Sequence, residues 1–220
     1  MKLSKVSIVY PVVTKTIDSR YRIVEVATEH FMRLGLRSVS MDDVARAAGV
    51  SKKTVYQHFE NKRALIKQVM ETDFEKDMAA VTANHQKARD AIDEMLLNSR
   101  YFIREMRNVN PTMLRDMQKY YRDLHEAHVV EHLEAFRQNI EQNIDRGMEE
   151  GLFRADLDPE LVSKLYINSM MMIIDTRAFP AREQPVSELV TQISTYHFHA
   201  IVNAFGRDRL DDYLKQESLD

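Results

Sequence analysis

The chain has no cysteine among its 220 residues. Disulfides, thiolate nucleophiles and cysteine-held zinc are thereby excluded. The absence fits a reducing compartment, and the expected location is the cytoplasm. Five glycines and five prolines are few for this length, and strand-like alternation is scarce, so the expected fold is all-α. Long apolar runs are missing too. The longest late one, Leu165 to Ile174, is bounded by Lys164 and Asp175 and falls far short of the ~20 residues a spanning helix needs. The stretch from Val6 to Val13 is interrupted by Ser7, Tyr10 and Pro11 and offers no convincing cleavage site. Neither a membrane partner nor a signal peptide is expected. A Gly-rich phosphate loop is lacking. No histidine has a glutamate three residues before it, which the Glu-x-x-His pairs of helical di-iron enzymes require. With no nucleophile–base pair to be inferred, nothing points to an enzyme, and no cofactor is expected.

Charge is present and unevenly spread. Residues 1–70 carry thirteen lysines and arginines against six acids, while the remainder is strongly acidic. A basic head on an acidic body suits a protein that presents one end to a phosphate backbone. The most informative stretch lies in that head. Ser40 is a plausible N-cap with Asp43 three residues on, resembling a capping box, and Val44, Ala45 and Ala48 give a short apolar stripe. Gly49 then suits a left-handed turn, and Ser51 caps a second short helix. On that helix Val55 and Phe59 face inward at i, i+4, leaving Lys52, Lys53, Thr54, Gln57 and His58 mostly outside. Two short helices joined at a glycine are the sequence form of a helix-turn-helix, whose second helix enters the DNA major groove. Lysines in a first turn oppose the helix dipole, a conflict that a nearby phosphate removes. Lys53, Thr54 and Gln57 are the candidates to read bases; Ser40, Tyr56 and Lys62 are the candidates to hold phosphates. Ser51, Lys52 and His58 complete the DNA-facing set.

Residues 20–66 resemble the DNA-binding domain of the TetR/AcrR family of transcriptional regulators. The likeness is carried by Ile23, Ala27, Phe31 and Gly35, by Val39-Ser40-Met41, and above all by Val50-Ser51-Lys52-x-Thr54-x-Tyr56-x-x-Phe59-x-x-Lys62-x-x-Leu65. Lys53 departs from the glycine that many members carry and adds a cation at the DNA face. A weaker likeness, from Gly147 through Phe153 to Pro159-Glu160, matches a joint in the family's C-terminal domains. The resemblance implies a ligand-responsive regulator, most often a repressor, that binds a palindromic double-stranded operator as a homodimer and is released by a small-molecule effector. It divides the chain into an arm (1–16), a DNA-binding domain (17–66) and a ligand-binding and dimerisation domain (67–220). The arm reads either as a basic segment reaching a minor groove or as a tail or packed strap. The rival reading is a helical small-molecule-binding protein or enzyme whose N-terminal helices mediate protein contacts.

Further along, helices are expected over about 61–84, from Asp90 to Pro111, over 122–150, and over 159–178 and 185–205. The last two carry apolar faces wider than the ~100° stripe one core needs. Met172, Ile173, Ile193, Tyr196, Ala200 and Ile201 are therefore the dimer-interface candidates. The resemblance also implies a cavity among the body's adaptable side chains, for which Phe102, Met106, Met117, Tyr120, Phe136, Tyr166 and Met170 are the candidates. His125, His128 and His132 share a helix face at i, i+3, i+7, spacing that suits zinc or nickel, although helical histidines this close are usually surface or core residues and no metal is expected.

Overall fold

The computed structural model describes residues 19–108, 110–173, 179 and 185–217, so the arm at 1–16 lies outside the described residues. Within them the chain forms ten helices: α1 (Ser19–Leu34), α2 (Met41–Ala48), α3 (Lys52–His58), α4 (Lys62–Lys87), α5 (Ala91–Asn108), α6 (Pro111–Tyr120), α7 (Arg122–Glu149), α8 (Pro159–Ile173), α9 (Val186–Ile201) and α10 (Ala204–Glu217).

Local chemistry sets the boundaries. At α2 the Asp43 N–H donates to Ser40 Oγ at 3.1 Å and the Ser40 N–H donates to Asp43 Oδ2 at 2.9 Å, completing the capping box. Gly49 ends α2 at φ 67°, a left-handed value that is cheap only for glycine. Ser51 Oγ accepts the Thr54 N–H at 3.0 Å, and Asn61 Oδ1 accepts the Ala64 N–H at 3.0 Å, opening α3 and α4. Asp90 Oδ1 accepts the Asp93 N–H at the start of α5. Asn110 caps α6, with Pro111 in its first turn.

Two cores result. The head core joins α1, α2 and α3 through Ile23, Ala27, Phe31, Val44, Ala48, Val55 and Phe59, closed by Leu65, Ile66 and Val69 of α4. Met117 of α6 is buried in that same core. Helix α4 runs unbroken for 26 residues from head to body, so no linker separates them. The body core gathers Ile92, Leu96, Phe153, Phe198, Ile201, Leu210 and Tyr213.

The 185–205 segment is not one helix. Val202 leaves α9 to make an isolated antiparallel bridge with Phe153, in which the Arg154 N–H donates to the Ile201 carbonyl and the Asn203 N–H to the Leu152 carbonyl. Asn203 Oδ1 then accepts the Gly206 N–H and starts α10. The corner is tight. A Cβ on Gly147 would lie 2.1 Å from the Phe153 ring, and one on Gly206 would lie 2.0 Å from the Leu152 carbonyl oxygen. The weak likeness around Gly147–Glu160 thus corresponds to a packed joint in which Phe153 fills the space a side chain would need.

Candidate DNA interface and body cavity

Helix α3, the second of the helix-turn-helix, exposes Lys52, Lys53, Tyr56, Gln57 and His58, while Val55 is fully buried beneath them. Thr54 is half-buried, its hydroxyl 2.8 Å from Ser51 Oγ. Lys52 Nζ lies 2.8 Å from Asp42 Oδ1, and this pairing holds the ammonium above its ordinary pKa. Hydrogen bonds from Ser40 hold the Asp43 carboxyl below the usual carboxylate range. His58 Nε2 shares a 2.7 Å hydrogen bond with Ser19 Oγ, tying α3 to the start of α1.

Lys62 departs from the phosphate role expected of it. Its ammonium turns inward, donates to the Leu36 carbonyl and sits 5.9 Å from the centre of the Phe31 ring. Partial burial lowers its pKa. In this position it is a tie between α4 and the α1–α2 loop.

The head is also bolted to α6. The Arg37 N–H donates to Asp116 Oδ2 at 3.0 Å, Asn110 Nδ2 donates to the Arg33 carbonyl at 2.8 Å, and the Arg37 guanidinium lies 4.7 Å from the centre of the Tyr120 ring. Arg63 of α4 pairs with Asp123 of α7. These contacts correct two expectations. Met117 and Tyr120 are not cavity residues: α6 folds back over α1, placing Met117 in the head core and Tyr120 under Arg37.

The body encloses a cavity of about 280 Å³ between α4, α5, α7, α8 and α9. Phe102, Phe136, Tyr166 and Met170 line it as expected, whereas the Met106 side chain lies outside the described residues. Residues missed by sequence reasoning include Asp77, Asn98, Asn143 and His197. Their polarity in an otherwise apolar body was the available signal. Tyr101 donates from its hydroxyl to Asp77 Oδ1 at 2.6 Å, yet burial still pushes the Asp77 carboxyl up to about 6. Tyr166 stacks on His197 with ring centres 3.9 Å apart and bonds Ser194 at 3.0 Å. Burial pushes the Tyr166 hydroxyl up to about 12 and His197 down to about 4.

Among the interface candidates, Met172, Tyr196 and Ala200 are exposed and Ile193 is half-buried. Ile173 and Ile201 are corrected: Ile173 lines the cavity and Ile201 is in the body core, both buried within one protomer. They lie on the inner edges of the wide apolar faces. Two of the three imidazoles on α7, His128 and His132, are used in ring packing. His132 stacks on Phe74 at 3.5 Å and meets His128 edge-on at 3.3 Å, and burial holds His128 down to about 4. Among the described residues no group of side chains is arranged to hold a metal.

Capped short helices with a polar outer face, joined by α4 to a hollow helical body, define a helix-turn-helix protein. Residues 23–69 match the profile of the bacterial regulatory proteins of the tetR family. The chain is 28% identical to the uncharacterised HTH-type transcriptional regulator YhgD of Bacillus subtilis over 69% of this chain and 82% of that protein. It is 25% identical to the HTH-type transcriptional repressor DhaR of Mycobacterium sp. over 79% of this chain and 89% of that one. A TetR-family regulator from Agrobacterium tumefaciens shares the fold at a TM-score of 0.67, with 13% identity, covering 84% of this chain and 98% of that one. Residues 23–69 thus carry the tetR-family DNA-binding domain, and these likenesses together support a TetR-family DNA-binding transcriptional regulator. The rival reading, in which the head contacts protein, is set aside.

Proposed function

We propose that this regulator is a cytoplasmic repressor that binds a palindromic operator as a homodimer and leaves it when a small molecule fills the body cavity. The carrying observation is the continuity of α4: Asp77 and Val81 are on the cavity wall, and Leu65, Ile66 and Val69 of the same helix are in the head core. A ligand that shifts α4 or α7 moves the head through α4 itself and through the Asp116–Arg37 and Asp123–Arg63 contacts. The repressive sign extends to this chain what the name of DhaR says of that protein. Lys53, Thr54 and Gln57 are proposed to read bases, with Ser40, Lys52 and Tyr56 toward phosphates.

Gel-shift titration on DNA fragments selected by the pure protein tests the reading. A dimer neutralising about six to eight phosphates gives a log–log salt slope of roughly −5 to −7. A slope near zero overturns it.

A further inference from the structure

The cavity wall is asymmetric in charge. Among the described residues Asp77 is its one carboxylate, and no lysine or arginine lines it. The surroundings deepen the negative character. Asp73 lies one turn before Asp77 on α4, and Glu105 acts on it from α5. Lys76 is engaged with Glu105 at 2.6 Å. Arg104 Nε also lies 3.5 Å from Glu105, so both nearby cations are engaged with Glu105 rather than with Asp77, and three carboxylates stand against two cations. An anionic ligand would find no cation among the described lining residues and would meet the Asp77 carboxylate. A cationic one would meet a carboxylate whose desolvation has already been imposed by the fold. The raised Asp77 pKa agrees with that picture. The apolar part of such a ligand also has a place. Phe102 and Phe136 meet edge to face at 5.2 Å, and Tyr166 and Met170 complete a wall of rings and thioether. Aromatic faces favour both apolar groups and ammonium carbons.

We propose that the effector is a lipophilic amine, its ammonium paired with Asp77 and its apolar body held among Phe102, Phe136, Tyr166 and Met170. This rests on the reading of the cavity as the effector site. The pairing gives the cavity a ligand class and a direction: the charged end points at α4, the helix that continues into the head.

The test uses three probes with the same body, 4-phenylbutylamine, 4-phenylbutanol and 4-phenylbutyrate, titrated calorimetrically into the full-length protein at pH 7.5. The amine is expected to bind about tenfold or more tighter than the alcohol, and the carboxylate weakest. Asp77→Asn keeps an acceptor for the Tyr101 hydroxyl. It should reduce amine affinity about tenfold while leaving the alcohol within about threefold, with circular dichroism reporting an unchanged fold. Equal binding of amine and alcohol, tighter binding of the carboxylate, or an amine affinity that survives Asp77→Asn overturns the proposal and leaves the cavity reading intact. If none of the three binds, the cavity reading itself fails, and the proposal falls with it.

Discussion

Lys62 shows how much one side chain's direction decides. As a phosphate ligand its loss would weaken binding to every DNA sequence. As a donor to the Leu36 carbonyl it holds α4 against the loop after α1. Lys62→Ala is therefore expected to lower stability by about 1–2 kcal/mol in urea unfolding. The salt slope of DNA binding should stay unchanged. Gln57→Ala should behave oppositely, leaving stability within about 0.5 kcal/mol and relaxing the preferred site in binding-site selection. A selected site unaltered by Gln57→Ala counts against its base-reading role. His197 gives a pH prediction. Its folded pKa of about 4 lies below the ordinary value of 6.5, so its contribution is full above 6.5 and is lost as pH falls toward 4. At pH 5 the loss is about 2 kcal/mol, or several degrees in Tm. His197→Phe keeps a ring against Tyr166 and should shrink the drop in Tm between pH 7 and pH 5. An equal drop in the variant would assign acid sensitivity to other groups, with His128 the first candidate.

At the scale of elements, the joint between α7 and α10 makes the sharpest claim. Gly147→Ala would drive a methyl into the Phe153 ring, which is itself fully packed. We expect a loss of about 1–3 kcal/mol or more, read as a fall in the urea midpoint at constant m. Gly151→Ala meets no neighbour within 4 Å and should cost less, through its positive φ of 68° alone. Elements whose determinants are local could be read from the sequence. Ser40, Asp43, Gly49 and Ser51 name their own helix ends, because a cap is made within four residues. What escaped was set at long range. The break after Ile201 depends on a bridge to Phe153, nearly fifty residues earlier, and only the capping Asn203 hinted at it. The apolar periodicity of α8 marked Met172 and Ile173 alike. Only packing against α9 and α7 turns Ile173 to the cavity and leaves Met172 outside. Asp77 carries no motif, and its place on the cavity wall follows from how α4 crosses α5.

At the scale of the whole molecule, large apolar side chains stand exposed on several helices of the described residues, and α8 and α9 carry four of them. Leu161, Leu165 and Met172 stand outside on the first, and Tyr196, 78% exposed, stands on the second. The proposed dimer contact is assigned to these two helices, where such side chains would be covered by a second copy. Tyr196→Glu is the appropriate disruption of the proposed dimer, since Ile201→Glu would place the charge in the body core. The variant should sediment as a folded monomer and lose about 10²-fold or more in operator affinity, because two linked heads gain effective concentration. Wild-type affinity from such a monomer would overturn the dimer mechanism. The burial of Met117 in the head core has a consequence for inheritance. A DNA-reading segment ending near residue 66 looks like a cassette that evolution or an engineer can move between regulators. In this chain the cassette is not closed, because its last core side chain and the carboxylate that holds Arg37 both come from α6, some fifty residues downstream. A head transplanted onto a foreign body would arrive with a hole where Met117 belongs. Changes of operator specificity along this lineage are therefore expected through substitutions on the outer face of α3, with exchange of whole heads confined to donors that bring a matching α6.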